Sequence, residues 1–193
     1  CEESQTVCKA FRDRGHEAYS CDILPCSGGH PEWHIQGDVL EQLDKGWDMM
    51  IAHPPCTYLT VTGNKWFKPE YADRFPTRYQ DREDAKVFFM KLINAPIGKI
   101  VVENPIGVMS TSYKKPEQII QPWHYGHEAS KSTCLWLKNL PLLKPTKIVS
   151  KGEFITYKSG KRMTKWYADA ASKSPKERAM IRNKTFQGIA DAM

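Results

Sequence analysis

The sequence predicts an α/β fold, a mostly parallel sheet with helices on both faces, and three observations carry that expectation. Two mostly apolar runs of strand length, residues 47–52 (WDMMIA) and 99–102 (KIVV), each stop at a proline-containing segment. Strands buried on both faces read this way, and such burial is typical of parallel sheets. Between them, residues 83–94 place Ala85, Phe88, Phe89, Leu92 and Ile93 on one helical face, so a helix separates the two strands. Strands that alternate with helices along the chain point to crossover connections.

The remaining elements follow in order. Ser4 is placed to cap a helix over 5–13, with Val7, Ala10 and Phe11 on one face and Arg14-Gly15 as its stop. Residues 17–23 (EAYSCDI) read as a short strand ending near Asp22, followed by a Gly/Pro-rich loop over 25–33. Gly37-Asp38-Val39 precedes a short helix at 40–43. Strand 47–52 is stopped by Pro54-Pro55, because proline cannot continue a central ladder. Residues 57–78 are loop-like, with Trp66, Phe67 and Tyr71 among polar neighbours. Strand 99–102 closes on Glu103-Asn104-Pro105, and 133–137 (TCLWL) is a further strand. Residues 154–166 read as a hairpin turning at Ser159-Gly160, and Ser174-Pro175 opens a last helix. No internal repeat is present. The expectation is one domain over 1–193 with a small basic insertion at about 140–173.

Composition narrows the class. With 40% apolar and 26% charged residues the chain is ordinary globular protein, which argues against disorder and fibrous repeats. No apolar run approaches bilayer length and no signal-peptide pattern opens the chain, so a cytoplasmic protein without a membrane partner is expected. The first residue is Cys1, which reads as a trimmed start with a first strand wholly or partly missing. The six cysteines are too few and too scattered for a disulfide scaffold and read as reduced thiols. The net charge of +6 is unevenly spread: residues 138–184 hold thirteen Lys and Arg against Glu153, Asp169 and Glu177, so the rest of the chain carries −4. A basic segment on an acidic body suits a polyanion partner, and equally suits a merely solvated Lys-rich face.

Open parallel sheets bind ligands beyond the carboxyl ends of their strands. Four segments end there in reactive or polar residues: Asp22, Asp38, Pro54-Pro55-Cys56 and Glu103-Asn104-Pro105. Two prolines stiffen the turn before Cys56 and project its thiol from the sheet edge, which fixes an approach angle for a nucleophile. The same cysteine also fits a small buried apolar role. Glu103 ends its strand beside apolar residues, a setting expected to raise a carboxyl pKa towards neutrality; it also fits a turn-capping surface role. Cys21, Cys26, His30 and His34 have zinc-ligating chemistry, but the pairs are too close for a Cys₂His₂ finger. His124 and His127 read as surface or packing residues, and no metal is expected.

Taken together, strand-Pro-Pro-Cys and, some fifty residues later, strand-Glu-Asn-Pro resemble the two catalytic motifs of the DNA cytosine-5 methyltransferases. The chain is most similar to the small phage and prophage members, and the resemblance runs in order along nearly all of it. HPPCTYLT (53–60) resembles the catalytic loop and YGHEASKSTCLWL (125–137) the later strand that helps hold the target base. FQGIADAM (186–193) is similar to the glycine-containing segment that packs back near the cofactor. The resemblance implies a Rossmann-like class I S-adenosylmethionine-dependent methyltransferase fold, with S-adenosyl-L-methionine as cofactor and duplex DNA with a flipped cytosine as partner. It implies Cys56 and Glu103 as catalytic residues. It assigns Glu2, Ser4, Asp22, Ile23, Asp38, Val39 and Pro54 to the cofactor, with Asp22 on the ribose and Asp38 on the adenine. It assigns Pro55, Thr57, Tyr58, Asn64, Asn104, Lys131, Thr133, Lys161 and Arg162 to DNA. Three departures stand out. The glycine-rich turn after the first strand is replaced by Cys1-Glu2-Glu3-Ser4-Gln5, the paired arginines of the later strand by Lys131-Ser132, and the target-recognition region is very small.

The implied chemistry is thiolate addition at C6, which makes C5 nucleophilic, with Glu103 on the N3 and amino edge. C6 is stacked in a duplex, so the base must be flipped out, and residues 57–67 are placed to cover it. The alternatives are a noncatalytic nucleic-acid-binding relative, and methylation of another base or of RNA.

Overall fold

In the computed structural model, which describes residues 1–193 with the side chains of 175 and 176 excepted, helix α1 (Thr6–Arg12) precedes strands β1 (Ser20–Asp22), β2 (His34–Gln36) and β3 (Met49–Ala52). Helix α2 (Arg78–Ile93) leads to β4 (Lys99–Pro105), the single turn α3 (Met109–Ser112), β5 (Gln118–Ile120) and β6 (Thr133–Lys138). The last third holds β7 (Phe154–Thr156), β8 (Arg162–Thr164), α4 (Lys165–Asp169), α5 (Pro175–Asn183) and α6 (Gln187–Ala190).

The architecture is α/β, and its central sheet is mixed, in the order β3-β4-β6-β5. β3 and β4 pair in parallel, Met49 against Lys99 through Ala52 against Val102, while β6 runs antiparallel to both β4 and β5. β1 and β2 form a separate parallel pair, and β7 with β8 a hairpin. The expectation of a mostly parallel sheet is therefore corrected. A parallel crossover needs about a dozen residues, usually a helix. The chain spends such a connection between β4 and β5, then returns as β6 between them.

Period-two alternation sorts the strand residues onto two covered faces. Ala52, Ile100, Val102, Cys134 and Trp136 meet Phe89, Leu92 and Ile93 of α2. Phe89 packs edge-on against Trp136 with ring centroids 5.0 Å apart. On the other face Ile51, Val101, Leu135 and Leu137 meet Tyr125, Phe186, Ile189 and Met193, and α1 joins as its Val7 and Ala10 pack on Ala190 of α6. Helices thus cover both faces, as expected. Each fully buried large side chain contributes on the order of 1.5–3 kcal/mol. The C-terminal segment lies close because residue 188 is glycine: a Cβ there would sit 1.9 Å from the Tyr125 carbonyl oxygen.

Local boundaries differ from the sequence reading for visible reasons. Glu2, not Ser4, caps α1: its carboxylate accepts from Val7 N at 2.6 Å and Cys8 N at 3.3 Å. β1 is three residues long, because the Ala18 carbonyl before it accepts from the Arg12 guanidinium at 2.7 Å. α2 starts at Arg78, five residues ahead of its apolar stripe, since Arg78 is itself buried beneath the preceding loop. The hairpin turns through Gly160 as its sequence indicates. Tyr19 and Trp47, just before β1 and β3, lie with ring centroids 6.0 Å apart, so the two strands start from neighbouring positions.

Candidate active site

The register of β3 and β4 builds the site. Ala52 pairs with Val102, so the next residues, His53 and Glu103, emerge side by side on the face that carries Ile51 and Val101. His53 Nδ1 lies 3.3 Å from Glu103 Oε2. On the opposite face Asn104, 1% exposed, donates from Nδ2 to the Pro54 carbonyl at 2.9 Å. Pro54 and Pro55 supply no N–H, so this side-chain bond does for the turn what a ladder bond does for a strand. It leads the chain directly to a half-buried Cys56. Asn104, assigned to DNA on resemblance, is instead sealed inside and holds the cysteine turn.

Three more segments complete the surroundings of Glu103. Leu135 pairs with Glu103 across the antiparallel ladder, which brings Thr133 and Lys131 alongside. The segment after α5 then closes over them. Together His53, Glu103, Lys131, Thr133, Lys184, Thr185, Phe186, Ile189 and Met193 line a small cavity. Lys131 Nζ donates to the Lys184 carbonyl at 3.4 Å, and the Lys131 amide donates to Gln121 Oε1 at 2.9 Å.

The charges are coupled. Burial acts to raise the Glu103 carboxyl, but the His53 hydrogen bond and charge, then Lys131 and the Thr133 hydroxyl, outweigh it and hold the pKa below the usual range. The expected upward shift is therefore reversed; the apolar setting is real, and the donors around the carboxylate are stronger. Burial pushes the Cys56 thiol up, the Glu103 charge adds to that, and Lys131 opposes it. Cys56 and Glu103 thus share one electrostatic neighbourhood with Lys131. Cys134 feels the same carboxylate, but it is fully buried and pushed up to about 11, mainly by that burial.

The 57–67 segment is docked. Its backbone is stitched to the chain after β4: Val61 N donates to Ile106 O at 3.1 Å and Val108 N to Leu59 O at 2.8 Å. Gly107 permits this approach, since a Cβ there would stand 2.1 Å from the Leu59 oxygen. From α2, Arg82 donates to Tyr58 O at 2.9 Å and to Asn64 Oδ1 at 2.7 Å, and lies 3.4 Å over the Phe67 ring. Arg78 lies over Tyr58 and Phe67. Asn64 and Tyr58 are accordingly engaged by arginines, not turned free towards a ligand. Pro55 and Thr57 are exposed beside Cys56, whereas Pro54 is buried.

The assigned cofactor residues divide into free and committed groups. Asp22 and Asp38 each spend one oxygen on a local turn, accepting from Leu24 N at 3.0 Å and Leu40 N at 2.9 Å. Ile23 is 73% exposed between them in sequence. Glu2 is committed to α1, Ser4 Oγ lies 3.2 Å from Thr6 Oγ1, and Val39 packs towards the α2 face. Where the family has a glycine-rich turn, Gln5 adopts a left-handed backbone (φ 58°). Its fully buried amide clasps the 26–30 loop, donating to His30 O at 2.8 Å and accepting from Cys26 Sγ and His30 N at 3.1 Å. For S-adenosylmethionine the fit therefore lies at Asp22, Ile23 and Asp38, which keep an open oxygen, an apolar face and an open oxygen.

Lys161 and Arg162 sit on the β7–β8 hairpin, outside the residues that line the Glu103 cavity; Arg162 lies over Phe154 at 4.8 Å. Trp166, at the foot of that hairpin, meets Phe186 with ring centroids 5.9 Å apart, joining the basic segment to the cavity wall. The Cys21, Cys26, His30 and His34 side chains have separate partners, and among the described residues no three His, Cys, Asp or Glu gather for a metal. No helix among the described residues is long and apolar enough to cross a membrane.

Sequence reasoning missed His53, Lys184 and Thr185. His53 carried a signal, a lone histidine between an apolar strand and two prolines, but its meaning depends on strand register. Lys184 and Thr185 carried none, because only the tertiary return of 184–193 brings them to Glu103. No protein-family model matches this sequence, and no curated protein matches it.

Proposed function

We propose that the protein is an S-adenosylmethionine-dependent DNA cytosine-5 methyltransferase with a Rossmann-like class I fold, Cys56 as its nucleophile and Glu103 on the N3 edge of the base. One observation carries the reading: the Asn104 to Pro54 hydrogen bond ties the end of β4 to the cysteine turn, so Cys56 and Glu103 belong to one rigid unit. Neither motif needs the other to fold as a strand end, but covalent attack on a base held by a carboxylate needs both. The order of motifs along the chain supports the same reading.

The cofactor, when bound, supplies an electrophilic methyl group; Asp22, Ile23 and Asp38 are the residues suited to hold it. Cys56, as thiolate, adds to C6 and leaves again when C5 loses its proton. Lys131 favours that thiolate, while Glu103 disfavours it until the carboxylate is engaged by the base. Thr133 and Lys131 flank Glu103 and keep its orientation. The Lys-rich hairpin, with Lys161 and Arg162, supplies backbone contacts to DNA.

The test is covalent trapping. Duplex DNA carrying 5-fluorocytosine blocks the last elimination, so the wild-type protein with S-adenosylmethionine accumulates an adduct and Cys56→Ser does not. No adduct from wild type that still binds the DNA would sink the reading. A noncatalytic binding relative is the second reading, favoured by the commitment of Gln5 and Glu2 to the fold where the family keeps an open glycine turn. Calorimetric titration with S-adenosylmethionine separates the two: measurable binding, lost in Asp22→Ala, favours the enzyme.

A further inference from the structure

The reaction proposed above gives Glu103 a task and leaves the residue that holds it without one. His53 Nδ1 lies 3.3 Å from Glu103 Oε2, and both side chains are mostly buried, at 15% and 19% exposure. The other ring nitrogen, Nε2, is buried with no partner among the described residues. Glu103 is therefore the polar anchor of the ring, and its carboxylate favours a proton on Nδ1. A carboxylate accepts hydrogen bonds and cannot donate one, and N3 of neutral cytosine is also an acceptor. Thiolate addition at C6 places negative charge on that edge, so a proton must reach N3 through Glu103.

We propose that His53 is the positioning residue that holds Glu103 and carries the proton it delivers to the base. The inference rests on the methyltransferase reading. As the Cys56 sulfur bonds to C6, the Nδ1–H bond of a His53 imidazolium breaks, its proton passes to the Glu103 carboxylate and on to N3, and a neutral imidazole remains. When the base regains aromaticity and the C6–S bond breaks, the N3 proton returns by the same route and the C5 proton leaves to solvent. The other titratable groups around the pair are Lys131 and Lys184 in the cavity wall and Cys56 on the adjoining turn, Cys134 feels Glu103 only from the opposite face of the sheet, and no second carboxylate lines the cavity among the described residues. Lys131 is not assigned as the donor: its ammonium donates to the Lys184 carbonyl at 3.4 Å, whereas His53 Nδ1 is the nitrogen within hydrogen-bond reach of Oε2.

The experiment follows the rate of adduct formation with 5-fluorocytosine DNA and S-adenosylmethionine across pH. The thiolate requirement makes the wild-type rate climb with pH and loss of the transferable proton from the Glu103 site makes it fall again, so a bell is expected. His53→Gln keeps an amide donor near Glu103 but cannot carry the proton. Its rate at neutral pH should drop about 10²-fold with DNA affinity retained. It should recover in part on acidification, because without the histidine's hydrogen bond and charge only Lys131 and Thr133 oppose burial, and the Glu103 carboxyl protonates more readily. Glu103→Gln should show no such recovery. A wild type that traps DNA with a rate that only climbs with pH, or a His53→Gln with wild-type rate and profile, overturns the role of His53 and leaves the methyltransferase reading standing. A wild type that forms no adduct overturns both. Should His53→Gln fail to fold, the wild-type profile decides by itself.

Discussion

Two charged neighbours pull the Cys56 thiol in opposite directions, and the directions can be read out without turnover. Burial raises the thiol first, Glu103 raises it further, and Lys131 lowers it. Alkylation by iodoacetamide reports the thiolate fraction, which changes tenfold per pKa unit below the pKa. Glu103→Gln removes a negative charge, so it should lower the thiol pKa and speed alkylation of Cys56 at neutral pH. Lys131→Gln removes a positive charge and should slow it. Changes of about two- to tenfold are expected for charges at this partly screened distance. Peptide mass spectrometry assigns the label, and the fully buried Cys134 should stay unlabelled until the protein unfolds. Equal rates in wild type and both variants would mean that these residues do not share a site.

Elements turn such pairs into a site, and the register of two strands is the decisive quantity here. A slip of one residue between β3 and β4 would send His53 and Glu103 to different neighbours and leave Asn104 without the Pro54 carbonyl. Asn104→Ala removes that strut and exposes no new surface, since the residue is buried. It should cost about 1–3 kcal/mol in urea denaturation and slow adduct formation further, because Cys56 loses its fixed approach. Unchanged stability and unchanged trapping together would show the strut to be incidental. The same register explains what could be read in advance. Strands β3 and β4, helix α2 and the hairpin announced themselves through proline-stopped apolar runs, a helical stripe and Ser159-Gly160. Cys56 and Glu103 stood out because each ends such a run. β5 did not, because Gln118–Ile120 is too short to carry a pattern, and the direction of β6 depends on that hidden strand. The downward pull on Glu103 was equally illegible, since its cause is a histidine fifty positions away.

At the scale of the molecule the charge is unevenly spread, and the proposed DNA partner makes that asymmetry testable. Residues 138–184 carry thirteen Lys and Arg against three acidic residues, on a chain whose remainder is net −4. The segment reaches the cavity wall through Trp166 and Phe186, so under the proposed function a duplex on the hairpin would lie next to the wall around Glu103. Phosphate contacts release counterions, and the logarithm of affinity falls with the logarithm of salt by about 0.9 per phosphate neutralised. Reversing both hairpin charges, Lys161→Glu with Arg162→Glu, should weaken duplex binding at low salt and flatten that dependence by about two units. The alkylation rate of Cys56 should stay at its wild-type value, because neither residue lines the cavity. The two readouts separate the roles proposed for the two halves: hold for the hairpin, chemistry for the strand ends. Fluorescence anisotropy over a salt series measures the first. A double variant with wild-type affinity and slope would move the DNA-binding face away from this hairpin, while a changed thiol would tie the hairpin directly into the site.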